Sequence, residues 1–167
     1  MDDTQEAHLA GVFDAAGGVA LRVSKDKTYK LNYNLRPHLS LRRYNEEDPI
    51  LGKLMEYSDE KSVKYSIGEK TGQNQENPSI SWTVTDPDSV GRFLEPLMNH
   101  LVTNYFRAEL MLEVVIPSLR NGDHLNKQGF YELVGVAEKL REGKQLRVEP
   151  KYTQDFFEEE WSNIERR

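Results

Sequence analysis

Between Gly18 and Tyr44 the chain sets Arg22, Lys25, Lys27, Lys30, Arg36, Arg42 and Arg43 against a single acid, Asp26. Cations gathered this way suit phosphate, and the interleaved Asn32, Asn34, His38 and Ser40 offer donors and acceptors for base edges. The chain carries a net charge of −6, and taken as a sum that opposes a phosphate ligand. Its distribution points the other way: Asp155, Glu158, Glu159, Glu160 and Glu165 crowd the C-terminal end, leaving a basic face on an acidic body. Cysteine is absent, which excludes disulfides, thiolate metal sites and thiol catalysis. His8, His38, His100 and His124 show no metal-ligand spacing. The pair Glu46 and Glu47 reads as a helix-start pair favoured by the macrodipole.

The elements that must hold these groups follow from periodicity. Asp3 or Thr4 caps a first helix that ends at Gly17, with Ala7, Gly11 and Ala15 recurring every four residues as a small-residue stripe. After a Gly17-Gly18 turn the period changes to two: Val19, Leu21 and Val23 alternate with Ala20, Arg22 and Ser24. A second strand sets Leu31, Tyr33, Leu35, Leu39 and Leu41 on one face and Lys30, Asn32, Asn34, Arg36, His38, Ser40 and Arg42 on the other, with Pro37 marking a bulge or an edge. A helix over Glu46 to Tyr57 is followed by strands around Val63–Ile67 and Ser79–Thr85, the latter carrying Ser79, Ser81, Thr83 and Thr85 as small hydroxyls. The polar stretch from Gly68 to Pro78 links the two strands. Helices are expected at Val90–Val102, Tyr105–Leu119 and Leu125–Arg141. Tyr105, Phe106, Phe130 and Tyr131 fall at helical spacing and read as core.

The nine residues Leu9-Ala10-Gly11-Val12-Phe13-Asp14-Ala15-Ala16-Gly17 resemble the signature of the LAGLIDADG homing endonucleases. His38-Leu39-Ser40-Leu41 and Pro96-Leu97 support the resemblance, which runs from about His8 through Arg141. It implies an α+β fold: an αββαββα core with extra C-terminal helices and an antiparallel sheet forming a DNA-binding saddle. One motif in 167 residues implies a homodimer, with Ala7, Ala10, Gly11, Asp14 and Ala15 at the interface. In the family the motif's last acid holds divalent ions beside the scissile phosphates; here that position is Ala16. Asp14 is the weak candidate for a replacement. Two positions along a helix turn a side chain by roughly 200°, so Asp14 points elsewhere and reads as a structural partner at the helix end.

The resemblance therefore implies a sequence-specific double-stranded DNA-binding homodimer without nuclease activity, acting as a transcriptional regulator or site-marking factor. Arg22, Lys25, Lys30, Asn32, Asn34, Arg36, His38, Ser40, Arg42 and Lys64 are the expected DNA contacts. No catalytic residue and no cofactor are expected; Mg²⁺ enters only in the alternative of a working endonuclease. A maturase-like RNA-binding role is a further alternative. Residues 1–143 form the expected domain and 144–167 an acidic tail, whose Phe156, Phe157 and Trp161 either dock a protein partner, cover the basic face as a DNA mimic, or pack on their own domain. No apolar run approaches the roughly 18 residues of a membrane span, so a cytoplasmic protein without membrane contact is expected.

Overall fold

The computed structural model describes residues 1–70, 78–146 and 148–162. The polar loop expected at Thr71-Gly72-Gln73-Asn74-Gln75 lies outside them.

Helix α1 (Asp3–Ala16) begins one residue earlier than a cap at Asp3 would place it: the Asp2 carboxylate accepts the Gln5 amide at 2.8 Å while the Gln5 side chain accepts the Asp2 amide at 3.0 Å. This reciprocal box satisfies two amides that the first turn leaves unpaired. Leu9, Ala10 and Phe13 are buried, while Gly11 and Ala15 are exposed. No turn separates α1 from the sheet, because Gly17 and Gly18 already belong to strand β1 (Gly17–Lys25). Gly17 is required by close approach: a Cβ there would collide with the ring of Phe13.

Strand β2 is Tyr33–Arg43, and the expected strand positions Lys30 and Asn32 fall instead in the connection from β1. That turn closes on itself: the Asp26 carboxylate accepts the Thr28 amide and hydroxyl, the Asp26 amide donates to the Asn32 carbonyl, and Asn32 takes φ +66°. Side-chain capture of nearby backbone by Asp and tolerance of the left-handed region by Asn end the alternation early. Helix α2 (Pro49–Glu60) follows, opened by Asp48, whose carboxylate accepts the Ile50 amide at 2.9 Å. Strands β3 (Ser66–Lys70) and β4 (Ser79–Val84) complete one antiparallel sheet of order β1-β2-β4-β3. β2 is paired to β1 along its whole length but to β4 only over Leu39–Arg43. Pro37 therefore sits where the β4 side is free, as a residue without an amide hydrogen must.

Helices α3 (Pro87–Leu94), α4 (Tyr105–Leu110), α5 (Ile116–Asn121), α6 (Lys127–Arg141) and α7 (Gln154–Glu160) cover the apolar sheet face together with α1. A 3₁₀ segment, Glu95–His100, extends α3, and a π-turn, Met111–Val115, joins α4 to α5. Asn104, Ala108, Met111 and Val115 form the buried line of this stretch. Tyr105 and Phe106, expected in the core, lie off that line at 45 % and 54 % exposure. Phe130 and Tyr131 are buried as expected.

The segment after α6 is not loosely attached. Phe157 and Trp161 are buried against Tyr33 and Phe130, with ring centroids 4.9 Å (Tyr33–Phe157) and 5.6 Å (Phe130–Trp161) apart. Tyr33 and Tyr131 donate their hydroxyls to Glu160 and Glu158. These aromatics pack on their own domain, which leaves Phe157 and Trp161 unavailable to a protein partner, and two of the acids bind tyrosines rather than covering the basic face. Phe157 and Trp161 belong to the same buried cluster as the residues before 143.

Candidate nucleic-acid interface

Alternation along two antiparallel strands gives the sheet a second, helix-free face. Across β1 and β2, Ser24 stands opposite Asn34, Arg22 opposite Arg36, Ala20 opposite His38 and Gly18 opposite Ser40. The rows continue through Thr83 and Ser66, which share a 2.8 Å hydroxyl bond, while Arg42 lies opposite Ser81 and Lys70 opposite Ser79. Arg22, Arg36 and Arg42 are exposed, and none forms an ion pair among the described residues. Like charges directly opposite on neighbouring strands repel. The Arg22–Arg36 pair therefore costs the free fold and is relieved by an anion laid over it.

His38 lies in the middle of this face, 9 % exposed. Burial, and then the fields of Arg22 and Lys70, bring its imidazole down to about 4. At neutral pH it is uncharged and carries one donor and one acceptor nitrogen. The unfolded chain, with an ordinary histidine near 6.5, takes up protons first on acidification. This residue's share of stability is thus present above about 6.5 and is lost as pH falls towards 4. Denaturant melts between pH 7 and 4.5 are expected to show a shallower loss of stability in His38→Gln than in the wild-type chain, and the His38 ring protons to titrate near 4.

Other expected contacts are placed differently. Lys25 has the parity of Val23 and Leu21, the apolar face, and emerges only because the strand ends there. Lys30 and Asn32 are exposed in the hairpin turn. Lys64 precedes β3, its amide donating to Ser89 Oγ at the start of α3. Ser79 is buried, while Ser81, Thr83 and Thr85 are half-buried. Lys70 was missed because β3 runs past Gly68, where a loop was expected.

At the Gly17 end, Ala16 is exposed and contributes no oxygen. Both oxygens of Asp14 are taken: Oδ2 accepts the Val102 amide at 2.7 Å and Oδ1 the Asn104 amide at 2.8 Å, while Asn104 Nδ2 returns a bond to the Phe13 carbonyl. Asp14 is the structural clamp its helix phase implied. The hollow beside Ala16 is otherwise lined by Arg42, Arg107 and Lys144 with neutral polar groups. Arg107 is spent on the carbonyls of Leu140 and Glu142. A divalent ion needs free anionic oxygens, so this donor set does not fit one. Glu46 and Glu47 line a separate depression, and neither starts a helix: Glu46 leans on Glu69, whose hydrogen bond raises its carboxyl above the ordinary range. Near the other end of α1, Asp3, Glu6 and His100 lie close together, and the ion pairs Glu6–Lys61 and Asp3–His100 account for them.

On α1, Ala10, expected at the interface, is fully buried in this chain. Gly11 and Ala15 remain on the open side, with nothing near the missing Gly11 Cβ. Ala7 is half-buried.

No protein-family model matches the sequence, and no curated protein matches it. The solved structures do: the chain has the fold of the LAGLIDADG homing endonucleases. It is similar to the archaeal intron-encoded homing endonuclease I-Vdi141I complexed with DNA (TM-score 0.73, 19% identity, covering 94% of each chain). It is equally similar in shape to I-CvuI, seen with an uncleaved target in the presence of Mg (TM-score 0.71, 21% identity, 93% of this chain and 91% of that one). Against I-SmaMI bound to cleaved DNA it covers only 52% of that chain, at a TM-score of 0.63 and 18% identity. The resemblance seen in the nine residues Leu9–Gly17 thus extends to the whole fold, sheet and flanking helices included. Among the described residues no helix is long and apolar enough to cross a membrane.

Proposed function

We propose that this chain is a homodimeric, sequence-specific double-stranded DNA-binding protein that does not cut its target and acts in the cytoplasm as a transcriptional regulator or site-marking factor. The observation that carries the reading is the pairing of an unneutralised polar sheet face with a catalytic position that offers no ligand. Arg22, Arg36, Arg42 and His38 stand on a two-stranded ribbon of the width a major groove admits, and the DNA complexes of I-Vdi141I and I-CvuI share the fold. Hydrolysis of a phosphodiester through divalent ions would need carboxylates, and Ala16 and the clamped Asp14 supply none.

Self-association is supported by the open stripe of Ala7, Gly11 and Ala15 and by exposed Val102, Tyr105 and Phe106 on the loop and helix that Asp14 holds beside it. The chain matches the full length of I-Vdi141I but half of I-SmaMI, as one repeat of a two-repeat assembly would. Gly11→Leu fills the stripe at its centre and is expected to shift the sedimenting species from dimer to monomer; an unchanged dimer mass places the interface elsewhere.

The function is tested by selecting bound fragments from a random duplex pool and then adding Mg²⁺. Recovery of an intact, nearly palindromic site is the expected result. Cut product would make the chain an endonuclease with another acid in place, and failure to enrich duplex, with retention of folded intron RNA, would favour a maturase-like role.

A further inference from the structure

A cleft of about 700 Å³ separates the polar sheet face from the chain that follows α6. That chain leaves α6 at Arg141, anchors at Lys144, whose Nζ donates to the Val19 carbonyl of β1 at 3.0 Å, and reaches Tyr152, whose ring lies 5.5 Å from that of Tyr33 at the far end of the strand pair. It lines the open flank of β1 as a rail. Arg22 and Arg36 enter the cleft from the sheet; Arg141, Lys144 and Lys151 enter from the rail; no carboxylate among the described residues lines it. In a chain of net charge −6, such an enclosure is the reverse of the average surface.

Two observations show that these cations are not satisfied internally. Arg141 Nη2 is shut away from solvent with no hydrogen-bond partner among the described residues, although buried guanidinium nitrogens are ordinarily paired. Lys144 has one neutral carbonyl as partner and no counter-ion; burial first, then Arg107, bring its ammonium down to about 8. Its charged neighbours are Arg22 on β1, Arg36 and Arg42 on β2, Arg107 on α4, Arg141 on α6, Lys151 on the rail and Asp14 on α1, whose carboxylate is engaged by the Val102 and Asn104 amides, with neutral His38 beside them. Among the described residues none of these cations forms an ion pair.

We infer that the cleft between sheet and rail is a phosphate site, in which Arg141, Lys144 and Lys151 hold a run of phosphates against Arg22 and Arg36. The ligand chemistry is linked phosphate, supplied either by a nucleic-acid backbone lying beside the strand that the sheet reads or by a free polyphosphate. The first source rests on the DNA-binding reading above; the second does not. An anion that restores charge to Lys144 makes binding at pH 8 take up a proton.

The test uses the full chain and the variants Lys151→Gln, an exposed residue whose one contact in the fold is its ammonium over the Tyr152 ring, 5.4 Å from the centroid, and Lys144→Gln, with Arg120→Gln on α5 as control. Binding of the selected duplex is measured over a range of salt, and binding of inorganic tripolyphosphate by calorimetry at pH 8 in two buffers of different ionisation enthalpy. The backbone source predicts that each variant lowers the salt slope by about one and weakens all sequences evenly. The free source predicts tripolyphosphate binding with proton uptake, lost in both variants, while the duplex slope stays as in the wild type. Unchanged slopes together with unchanged or absent tripolyphosphate binding overturn the site. A wild-type chain that binds tripolyphosphate but no duplex overturns the DNA reading and leaves the phosphate site standing.

Discussion

Replacing Arg36 and Arg42 by alanine is expected to weaken duplex binding by at least about 30-fold while leaving the thermal midpoint unchanged or higher. The two signs come from one arrangement. Arg36 faces Arg22 across β1 and β2 without a carboxylate partner, so truncation removes a repulsion in the free protein. In a complex the same truncation removes contacts worth about 1–3 kcal/mol each where an arginine meets a base edge. Arg42 stands in another row, opposite Ser81, and shares no neighbour with Arg36, so the losses should add. Titration of the selected duplex at several salt concentrations, beside a melt of the free protein, checks both halves. Equal affinity at every salt would remove the sheet face from the interface, and a large drop in midpoint would mean that these arginines hold the fold instead.

The second large effect concerns the cluster around Tyr33. Phe157→Ala empties a fully buried position in contact with Tyr33, Phe130 and Trp161. Deleting a buried phenyl ring costs about 3–5 kcal/mol, which for a chain of this size lowers the midpoint by on the order of 10 °C. Because α7 is also tied by Glu160 to the Tyr33 hydroxyl and by Glu158 to that of Tyr131, its amides should lose protection ahead of the sheet. Hydrogen exchange resolves this: α7 exchanging no faster in the variant than in the wild type would show that its docking does not depend on this ring.

The sheet's two faces were legible because alternation is a local signal, and Val19, Leu21, Leu35, Leu39 and Leu41 are buried where period two puts them. The fate of Asp14 followed from helix phase alone. What failed was decided by interactions that the period of the sequence does not carry, some local and some distant. Lys30 and Asn32 have strand-like alternation, but the Asp26 carboxylate captures the turn before them. Tyr105 and Phe106 have core-like spacing, but a π-turn sets the phase of their helix and leaves them outside. Phe157 and Trp161 sit among acids, and it is Tyr33 at the start of β2 and Phe130 on α6 that give them partners. Lys144 and Lys151 fall in the stretch read as an acidic tail and Arg141 at the end of a helix, since nothing in their spacing says that the chain there returns along β1.

The separate duties of Asp14 and Ala16 leave a chemical opening. Asp14 splints the end of α1 to the loop at Val102 and Asn104, whereas Ala16 is exposed and its methyl holds nothing in place. The chain contains no cysteine, so a single Ala16→Cys exchange would create one addressable thiol per protomer at the mouth of the sheet. A chelated metal or a photo-crosslinker tethered there would report the path of a bound strand, and would bring to that point a strand-breaking chemistry of the experimenter's choosing.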